Sequence, residues 1–294
     1  MAALAAAAQP TPVRLGAYVA RLGDFDPATG TFTADVWLWT HAPQAANLDV
    51  VRTLGPWRTK ELTFGMTNSS AVNGTTWGLR QFRAKIEHDW DMRRFPFDHH
   101  TLVIPLGETD YDARRIVFVP DKAGSSIDPK LNLSDWRITG FRIETSVTTL
   151  SSTFGDPAAG GRKSSWPEAR IVIDIARKGL GAFLKVTFVA YVAFVMLMLS
   201  FLLPIEAFSD RLNMLLGSLF AVAVNLRGAE SLLGVSDDFN IVDRLHLLVT
   251  LAIVCATVVT MIARRLEAAP ARRLSLRTAA AIAVVFVAAN IAML

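Results

Sequence analysis

The chain is poor in cysteine, and its positive charge is not arranged for nucleic-acid binding. Its 294 residues include one cysteine, Cys255, which excludes an intrachain disulfide framework. Cys255 lies in an apolar stretch, where we expect a small packing residue. The formal net charge is +4, but no basic stripe interleaved with aromatic residues occurs in the more polar N-terminal part. We therefore expect no nucleic-acid partner.

The chain also lacks a recognisable metal or catalytic motif. Acidic residues and histidines concentrate in the stretch HDWDMRRFPFDHH, residues 88–100. The possible ligands are His88, Asp89, Asp91, Asp98, His99 and His100. Their spacing does not match zinc sites, which place ligands at fixed short intervals with a distant second pair. We interpret the stretch as a structured turn around Pro96, and we expect no metal, no cofactor and no enzymatic activity.

The distribution of apolar residues divides the chain into two main parts. Hydrophobic residues make up 52% of the sequence, and their excess is concentrated after about residue 179. We therefore predict a β domain over 13–178 and a membrane domain over 179–294. Residues 1–12 resemble the tail of a signal peptide or a disordered alanine-rich end.

Residues 13–178 have the pattern of strands. VRLGAYVARL and TFTADVWLW are rich in β-favouring residues, and the turn mixture FDPATG between them predicts a hairpin. Further strand patterns follow at short spacing without helix patterns, which is typical of an immunoglobulin-like all-β sandwich. We expect most aromatic residues in the sandwich core and one or two near loops in a ligand cage. The aromatic residues considered are Trp37, Trp39, Phe64, Trp136, Phe154 and Trp166.

Residues 179–294 contain four hydrophobic segments that are long enough to span a bilayer. We predict helices over about 181–203, 209–233, 240–265 and 275–294. The connection between the third and fourth helices carries five arginines against one glutamate, whereas VSDDFN, between the second and third, is acidic. Because positive residues accumulate on the cytoplasmic side, the β domain is predicted to lie outside the cytoplasm.

The second helical segment carries a polar stripe. Ser209 and Asp210 indicate a helix start, because serine caps free N–H groups and a carboxylate is favoured near the positive end of the helix dipole. Steps of three and four residues place a further set of side chains on one face. They are Asn213, Gly217, Phe220, Val224, Arg227 and Ser231. Polar groups in a membrane segment face protein or water, so this face either packs inside a helix bundle or lines a pore or substrate path.

Residues 91–104, DMRRFPFDHHTLVI, resemble the signature loop of pentameric ligand-gated ion channels, the Cys-loop receptor superfamily. His88 and Leu102 stand where animal members have the cysteine pair that closes this loop, as expected for the prokaryotic branch. LSDWRITGF and RIVIDIARKG are similar to the family's ninth and tenth strands. FSDRLNMLLG resembles the start of the pore-lining second helix, and AANIAML resembles the end of the fourth.

The resemblance implies a homopentamer in the inner (plasma) membrane, with a periplasmic β domain and five second helices around a pore. Asp210 and the stripe would line the pore. Phe220 and Val224 would form its apolar gate, and a ring of Asp210 carboxylates would favour cations. The alternative is a non-conducting, membrane-anchored binding sensor.

The resemblance also assigns residues to coupling and to agonist binding. The family pairs the aspartate of the signature loop with the arginine before the first membrane helix, which implies a pair between Asp98 and Arg177. The coupling residues are Phe95, Pro96, Phe97, Asp98 and Arg177. The agonist would be a small molecule or protons, bound between subunits. The residues assigned to this site are Trp39, Phe64, Tyr111, Phe154 and Trp166. The implied partners are further copies of the chain, membrane lipids, the agonist and permeant ions.

Overall fold

The architecture is a β sandwich followed by four long helices, which confirms the predicted fold class. A computed structural model describes residues 9–152, 164–178, 181–233 and 239–293. The chain forms two compact units. The first comprises Met1–Asp26, Gly30–Trp90 and His99–Ala176, and the second comprises Pro27–Thr29, Asp91–Asp98 and Arg177–Leu294. The stretch 91–98, which resembles the signature loop, therefore belongs to the helical unit.

Six strands form the first sheet. They are β1 (Thr11–Asp26), β2 (Thr31–Pro43), β4 (Thr59–Val72), β5 (Thr75–Glu87), β7 (Ile116–Pro120) and β8 (Ser126–Ile127). The order is β4-β5-β2-β1-β7, and β8 also pairs with β1. The predicted hairpin is the antiparallel pair β1 and β2. Asn73 and Gly74, both with positive φ, form the two-residue turn between β4 and β5, as Asn-Gly favours in hairpins.

Four strands form the second sheet. They are β3 (Gly55–Pro56), β6 (His99–Gly107), β9 (Trp136–Leu150) and β10 (Ser164–Arg177), in the order β3-β6-β10-β9. Before β3, the chain forms a 3-10 turn (Gln44–Ala46) and a one-turn helix, α1 (Val50–Thr53). Residues 1–8, within the predicted leader, lie outside the described part of the chain, and β1 begins at Thr11.

Alternation along β2 shows which face of the first sheet forms the core. Phe32, Val36 and Leu38 are fully buried. Because successive side chains of a strand point to opposite faces, Trp37 and Trp39 lie on the other face and are half-buried. Most of the six aromatic residues were expected in the core, and these two do not lie there.

Two further aromatic residues of the set, both also assigned to the agonist site, lie outside the core. Phe64 is 41% exposed on the edge strand β4, and Trp166 is half-buried near the start of β10. Trp136, with 5% exposure, belongs to the core, and Phe154 lies outside the described residues. The core is filled mainly by aliphatic side chains on the inward positions of long strands. The tryptophans were misassigned because strand register, rather than residue size, decides the face.

Four helices of the second unit are long and apolar enough to cross a membrane. They are α2 (Gly181–Ser200), α3 (Phe208–Leu233), α4 (Ile241–Ala263) and α5 (Ala268–Met293). α2 ends before the predicted 203, because Pro204 in the following turn cannot continue a helix. α3 begins before Ser209, since the Arg211 N–H donates to Ala207 O (3.1 Å), so Ser209 lies in the first turn instead of capping it.

α5 and α4 also differ from the predicted bounds. α5 begins at Ala268, earlier than the predicted 275, because Pro270 is tolerated in a first turn and alanine, arginine and leucine favour helix. α4 begins with a capping box: Asn240 Oδ1 accepts hydrogen bonds from the Val242 and Asp243 N–H groups, and Asp243 Oδ2 accepts one from the Asn240 N–H. The chain therefore enters α4 with its first backbone donors satisfied.

Small and aliphatic residues pack the helices together. α2 and α4 contribute side chains at spacings of three and four, and α3 contributes two side chains seven residues apart on one face. The buried members are Ala190, Ala193, Leu197, Phe201, Leu215, Val222, Leu245, Val249, Ile253, Ala256 and Phe286. The alanines allow close approach of neighbouring helices, and Phe286 of α5 stacks on Phe194 with ring centroids 3.6 Å apart.

Candidate functional site

One face of α3 is left uncovered by the described part of the chain. All seven residues predicted to line a pore lie on this face and are exposed: Asp210, Asn213, Gly217, Phe220, Val224, Arg227 and Ser231. Phe220 is 71% exposed and Val224 is 56% exposed. A Cβ atom added at Gly217 would meet no other atom within 4 Å, so this glycine does not serve close packing within the subunit.

The opposite face of α3 packs against the other long helices. Its buried residues recur every three or four positions from Arg211 through Leu215 and Ser218 to Val222, and Ala229 lies two turns further on the same face. Leu215 and Val222 belong to the core shared with α2, α4 and α5, and Ser218 donates to Met214 O (2.8 Å). α3 is the least apolar of the four long helices. Its inner face is mostly apolar but includes Arg211 and Ser218, and its exposed face carries Asp210, Asn213 and Arg227 beside apolar side chains such as Phe220.

The charged residues of α3 are separated by this division. Asp210 is exposed, whereas the neighbouring Arg211 is only 3% exposed, as the turn of about 100° per residue requires. Arg227, with a side chain 86% exposed, lies 3.6 Å from Glu230 Oε2. The exposed face thus carries a carboxylate near one end and a partly compensated guanidinium near the other.

Asp98 and Arg177 form a buried, two-pronged ion pair within the helical unit. Arg177 Nε donates to Asp98 Oδ1 (2.7 Å) and Nη2 donates to Oδ2 (2.9 Å). The Asp98 side chain is 1% exposed and the Arg177 side chain is 9% exposed. The backbone adds a bond from the Arg177 N–H to Asp98 O (3.2 Å). This geometry is the strongest form of an arginine–carboxylate pair.

The other residues of the loop 91–98 surround the pair. The guanidinium of Arg177 lies 4.9 Å from the ring centroid of Phe95, which is fully buried. Pro96 is buried and follows a cis peptide bond, whereas Phe97 is 46% exposed. Phe95 and Pro96 therefore anchor the loop, and Phe97 presents an apolar ring at its surface.

No known protein family matches the chain, and no curated protein is significantly similar to it. A β sandwich followed by four helices able to span a bilayer is compatible with a multi-pass membrane channel or receptor.

The described residues that were predicted to bind an agonist occupy different surroundings in the chain. Trp39 donates from Nε1 to Asp121 Oδ2 (3.2 Å), and its ring lies where a Cβ at Gly16 would fall. Phe64 packs beside Gly55 and beneath the Arg80 guanidinium, 3.5 Å from its ring centroid.

Tyr111 and Trp166 lie on segments that share a backbone contact. The Ala113 N–H donates to Ser165 O (2.8 Å), which ties the loop carrying Tyr111 to the start of β10. The Arg115 guanidinium lies 4.8 Å from the Tyr111 ring centroid. Phe64 and Tyr111 therefore each have an arginine over one ring face, which leaves less aromatic surface for a second cation.

Glu108 lies in the same loop and is only 5% exposed. Its Oε1 accepts hydrogen bonds from the N–H groups of Thr109 (3.1 Å) and Asp110 (3.0 Å). Oε2 is buried without a hydrogen bond, since the nearby Thr53 hydroxyl donates to Val50 O. Burial raises the pKa of Glu108, so this carboxyl group takes up a proton more readily than an exposed one.

His88 and His100 belong to an aromatic cluster of the sandwich. His88 lies edge-on to Trp90 (4.6 Å between ring centroids), and His100 lies 5.4 Å from Trp136. Burial, followed by the nearby His100, lowers the pKa of His88 to about 4, while Asp89 opposes the shift. Among the described residues, no three His, Cys, Asp or Glu side chains are grouped to hold a metal ion.

One polar contact between helices was not singled out from the sequence. His246 of α4 is 1% exposed, and its Nε2 lies 2.9 Å from Asn225 Oδ1 on α3. Its Nδ1 lies 2.8 Å from Val242 O. The signal was available, because a histidine inside an apolar membrane segment is costly unless it faces a polar partner. Asn225 directly follows Val224, so this contact links α3 to α4 next to the exposed face of α3.

Proposed function

We propose that the chain is one subunit of a homopentameric, ligand-gated ion channel of the Cys-loop receptor superfamily. One observation carries this proposal: the polar face of a helix able to span a membrane is exposed in the single subunit. Asp210, Asn213 and Arg227 on that face are too costly to leave in lipid. Copies of the chain arranged around an axis would cover this face and enclose water.

A ring explains the exposed face better than internal packing does. The subunit already buries the opposite face of α3, so no further helix of the described chain is available to cover the stripe. A head-to-tail contact that repeats with a closing rotation gives a cyclic assembly, and the sequence resemblance sets the number at five. Permeant ions then pass between the five copies of α3, with Phe220 and Val224 as the apolar constriction.

The charge pattern supports one orientation in the inner (plasma) membrane. The turn after α4 and the start of α5 carry Arg264, Arg265, Arg272, Arg273 and Arg277, which favours the cytoplasmic side. The β sandwich is then periplasmic, and Asp210 lies near the cytoplasmic mouth. The protein acts by passive conduction and not as an enzyme, with no cofactor, metal or nucleic acid.

The loop that carries Glu108 is the proposed agonist site. Its buried carboxyl group can take up a proton, and its ionised form can pair with a small cation; either agonist shifts a closed–open equilibrium only through different affinities for the two states. The adjacent Tyr111 and Trp166 would border the site at a subunit boundary. Current recorded through a pH series, followed by a panel of small amines, distinguishes the two agonist classes.

Cysteine accessibility combined with current recording tests the proposed pore. Val224→Cys and Val285→Cys, both in a Cys255→Ala background, change valines that are each 56% exposed on membrane helices. A charged methanethiosulfonate reagent should block current through Val224→Cys channels in a planar bilayer and leave Val285→Cys channels unaffected, because only a water-lined position reacts. Absence of current from wild-type pentamers would favour the sensor, and equal labelling of both cysteines would reject the assigned pore face.

A further inference from the structure

A cavity lies at the end of the helical unit where α2 turns into α3. It has a volume of about 410 Å³ and is bounded by residues 201–206 and by the first turns of α5. The side chains that matter here are Arg211, Arg272, Glu206, Ser275, Leu202 and Leu276. None of them belongs to the face of α3 assigned to the pore.

Arg211 places a buried positive charge against this cavity. Its Nε and Nη2 donate to Leu203 O, Nη2 also donates to Phe201 O (3.3 Å), and Nη1 donates to Ser275 Oγ (3.3 Å). All these acceptors are neutral. Glu206 acts on Arg211 electrostatically, but no carboxylate of the described residues lies within ion-pairing distance of its guanidinium. Because the buried positive charge is only partly compensated, an anion in the cavity would lower the free energy of this arrangement.

The rim of the cavity adds further positive charge. Arg272 is exposed and lines it, and Glu206 is the one carboxylate among the lining residues. Two guanidinium groups against one carboxylate leave the cavity net positive. Arg264 and Arg265 precede α5 and Arg273 follows Arg272, so arginines outnumber the one carboxylate of this connection, Glu267.

Exposed leucines stand beside these charges. Leu202 is 73% exposed and Leu276 is 50% exposed, and both line the cavity. A free inorganic anion would gain nothing from them, whereas hydrocarbon chains would cover them. Cation and apolar surface at the end of membrane-spanning helices match the headgroup and acyl chains of a lipid.

We propose that this cavity binds the phosphate of an anionic membrane phospholipid. Arg272 contacts the phosphate, Arg211 supplies the charge behind it, and Leu202 and Leu276 pack against the acyl chains. The site requires only that the helices lie in a bilayer, so it does not rest on ion conduction.

Lipid titration of matched arginine variants tests the site. The full-length protein is placed in phosphatidylcholine nanodiscs with increasing phosphatidylglycerol, and its thermal stability and the lipid retained in native mass spectra are measured. Arg272→Gln should raise the phosphatidylglycerol content needed for half-maximal stabilisation about tenfold, since one charge-assisted contact is lost. Arg273→Gln removes the same charge from the next residue outside the cavity and should change it little.

Three outcomes decide the proposal. Leu276→Glu, which brings a carboxylate to the exposed rim, should also release the retained phosphatidylglycerol and so provides a second variant if Arg272→Gln does not fold. Equal titrations for Arg272→Gln and Arg273→Gln would overturn the site. Equal stabilisation by inorganic phosphate in pure phosphatidylcholine would overturn the assignment to a lipid.

Discussion

At the scale of single residues, the pair between Asp98 and Arg177 differs from the surface pairs of the same chain. Its atoms are almost fully buried, whereas Arg83 and Asp35 form a pair 2.8 Å apart with side chains 53% and 16% exposed. Solvent screening reduces the contribution of an exposed ion pair to the free energy of unfolding to about 0–1 kcal/mol. Breaking a buried pair leaves an uncompensated charge and costs about 3–5 kcal/mol.

Asp98→Asn should therefore destabilise the protein by about 3 kcal/mol or more and abolish stimulated current. Asp35→Asn, the matched surface change, should alter stability by less than about 1 kcal/mol. The double charge swap Asp98→Arg with Arg177→Asp should recover more function than either single change. Thermal melting and current recording measure both effects, and single variants that behave like wild type would show that the pair has no coupling role.

His88 gives a pH dependence whose direction follows from its surroundings. Its pKa of about 4 in the folded protein lies below the ordinary value of 6.5, so the unfolded chain binds a proton first as pH falls. The neutral imidazole of His88 therefore contributes to the free energy of unfolding above pH 6.5, and this contribution is lost as the pH falls from 6.5 to about 4. The loss should be about 2 kcal/mol after allowance for the partial exposure of the ring.

The variant His88→Phe should flatten this part of the stability profile, because a phenyl ring fills the cluster without titrating. The same change at the exposed His99 serves as the control and should keep the slope. Melting temperatures measured from pH 7 to 4 provide the test. Parallel profiles for wild type and His88→Phe would mean that another group carries the acid sensitivity.

At the scale of elements, α3 combines a packed face with an exposed one, and Phe220 stands out on the exposed face. Five phenyl rings converging in the proposed pore would exclude water and therefore ions. Phe220→Ser should raise current in the absence of a stimulus about tenfold, equivalent to about 1.4 kcal/mol in the closed–open equilibrium.

Phe188→Ser on α2 is the matched control for this prediction. Phe188 is also an exposed phenylalanine on a membrane helix, at 63% against 71% for Phe220. It should leave the unstimulated current unchanged, because its ring lies off the assigned pore face. Pentamers of normal size without leak through Phe220→Ser would place the gate elsewhere, and dissociated Phe220→Ser subunits would identify a packing role.

The sequence predicted the presence of helices and strands better than their bounds or which face of a strand is buried. Long apolar runs and β-favouring runs are local signals, so the fold class and all four long helices were predicted. The end of α2 before Pro204 and the early start of α5 depend on the geometry of the adjoining turns, which cannot be predicted from residue composition alone. Trp37 was misplaced because residue size was weighed above alternation, which Phe32 and Val36 would have revealed.

The candidate site was predictable where it depends on periodicity along one helix. Asn213, Phe220 and Arg227 recur on one face by simple spacing, and the structure leaves that face exposed. The contact between Asn225 and His246 joins two helices, and no spacing within one segment relates their registers. The cavity beside Arg211 likewise depends on how α5 packs against the turn after α2, which is a tertiary property.

At the scale of the whole molecule, five copies would convert single charges into rings. Asp210 would give five carboxylates at the narrow cytoplasmic mouth, where the field is concentrated. Arg227 would give five guanidinium groups in the outer half, each 3.6 Å from Glu230. At physiological salt, electrostatic potentials are screened over about 8 Å. In a wider outer pore, more salt solution separates a permeant ion from the Arg227 ring, so the field of that ring is reduced more than the field of the Asp210 ring. The balance favours cations.

The resulting prediction concerns the reversal potential under a salt gradient. The wild-type value should lie near the cation equilibrium potential, Asp210→Asn should move it towards chloride, and Arg227→Gln should raise cation conductance. Glu230→Gln should act in the opposite direction to Arg227→Gln, because it removes the partner that compensates the guanidinium. Glu267→Gln, in the turn between α4 and α5, removes a carboxylate away from the assigned pore face and should leave the potential unchanged. A wild-type value near the chloride potential would mean that the Arg227 ring dominates and that the channel selects anions.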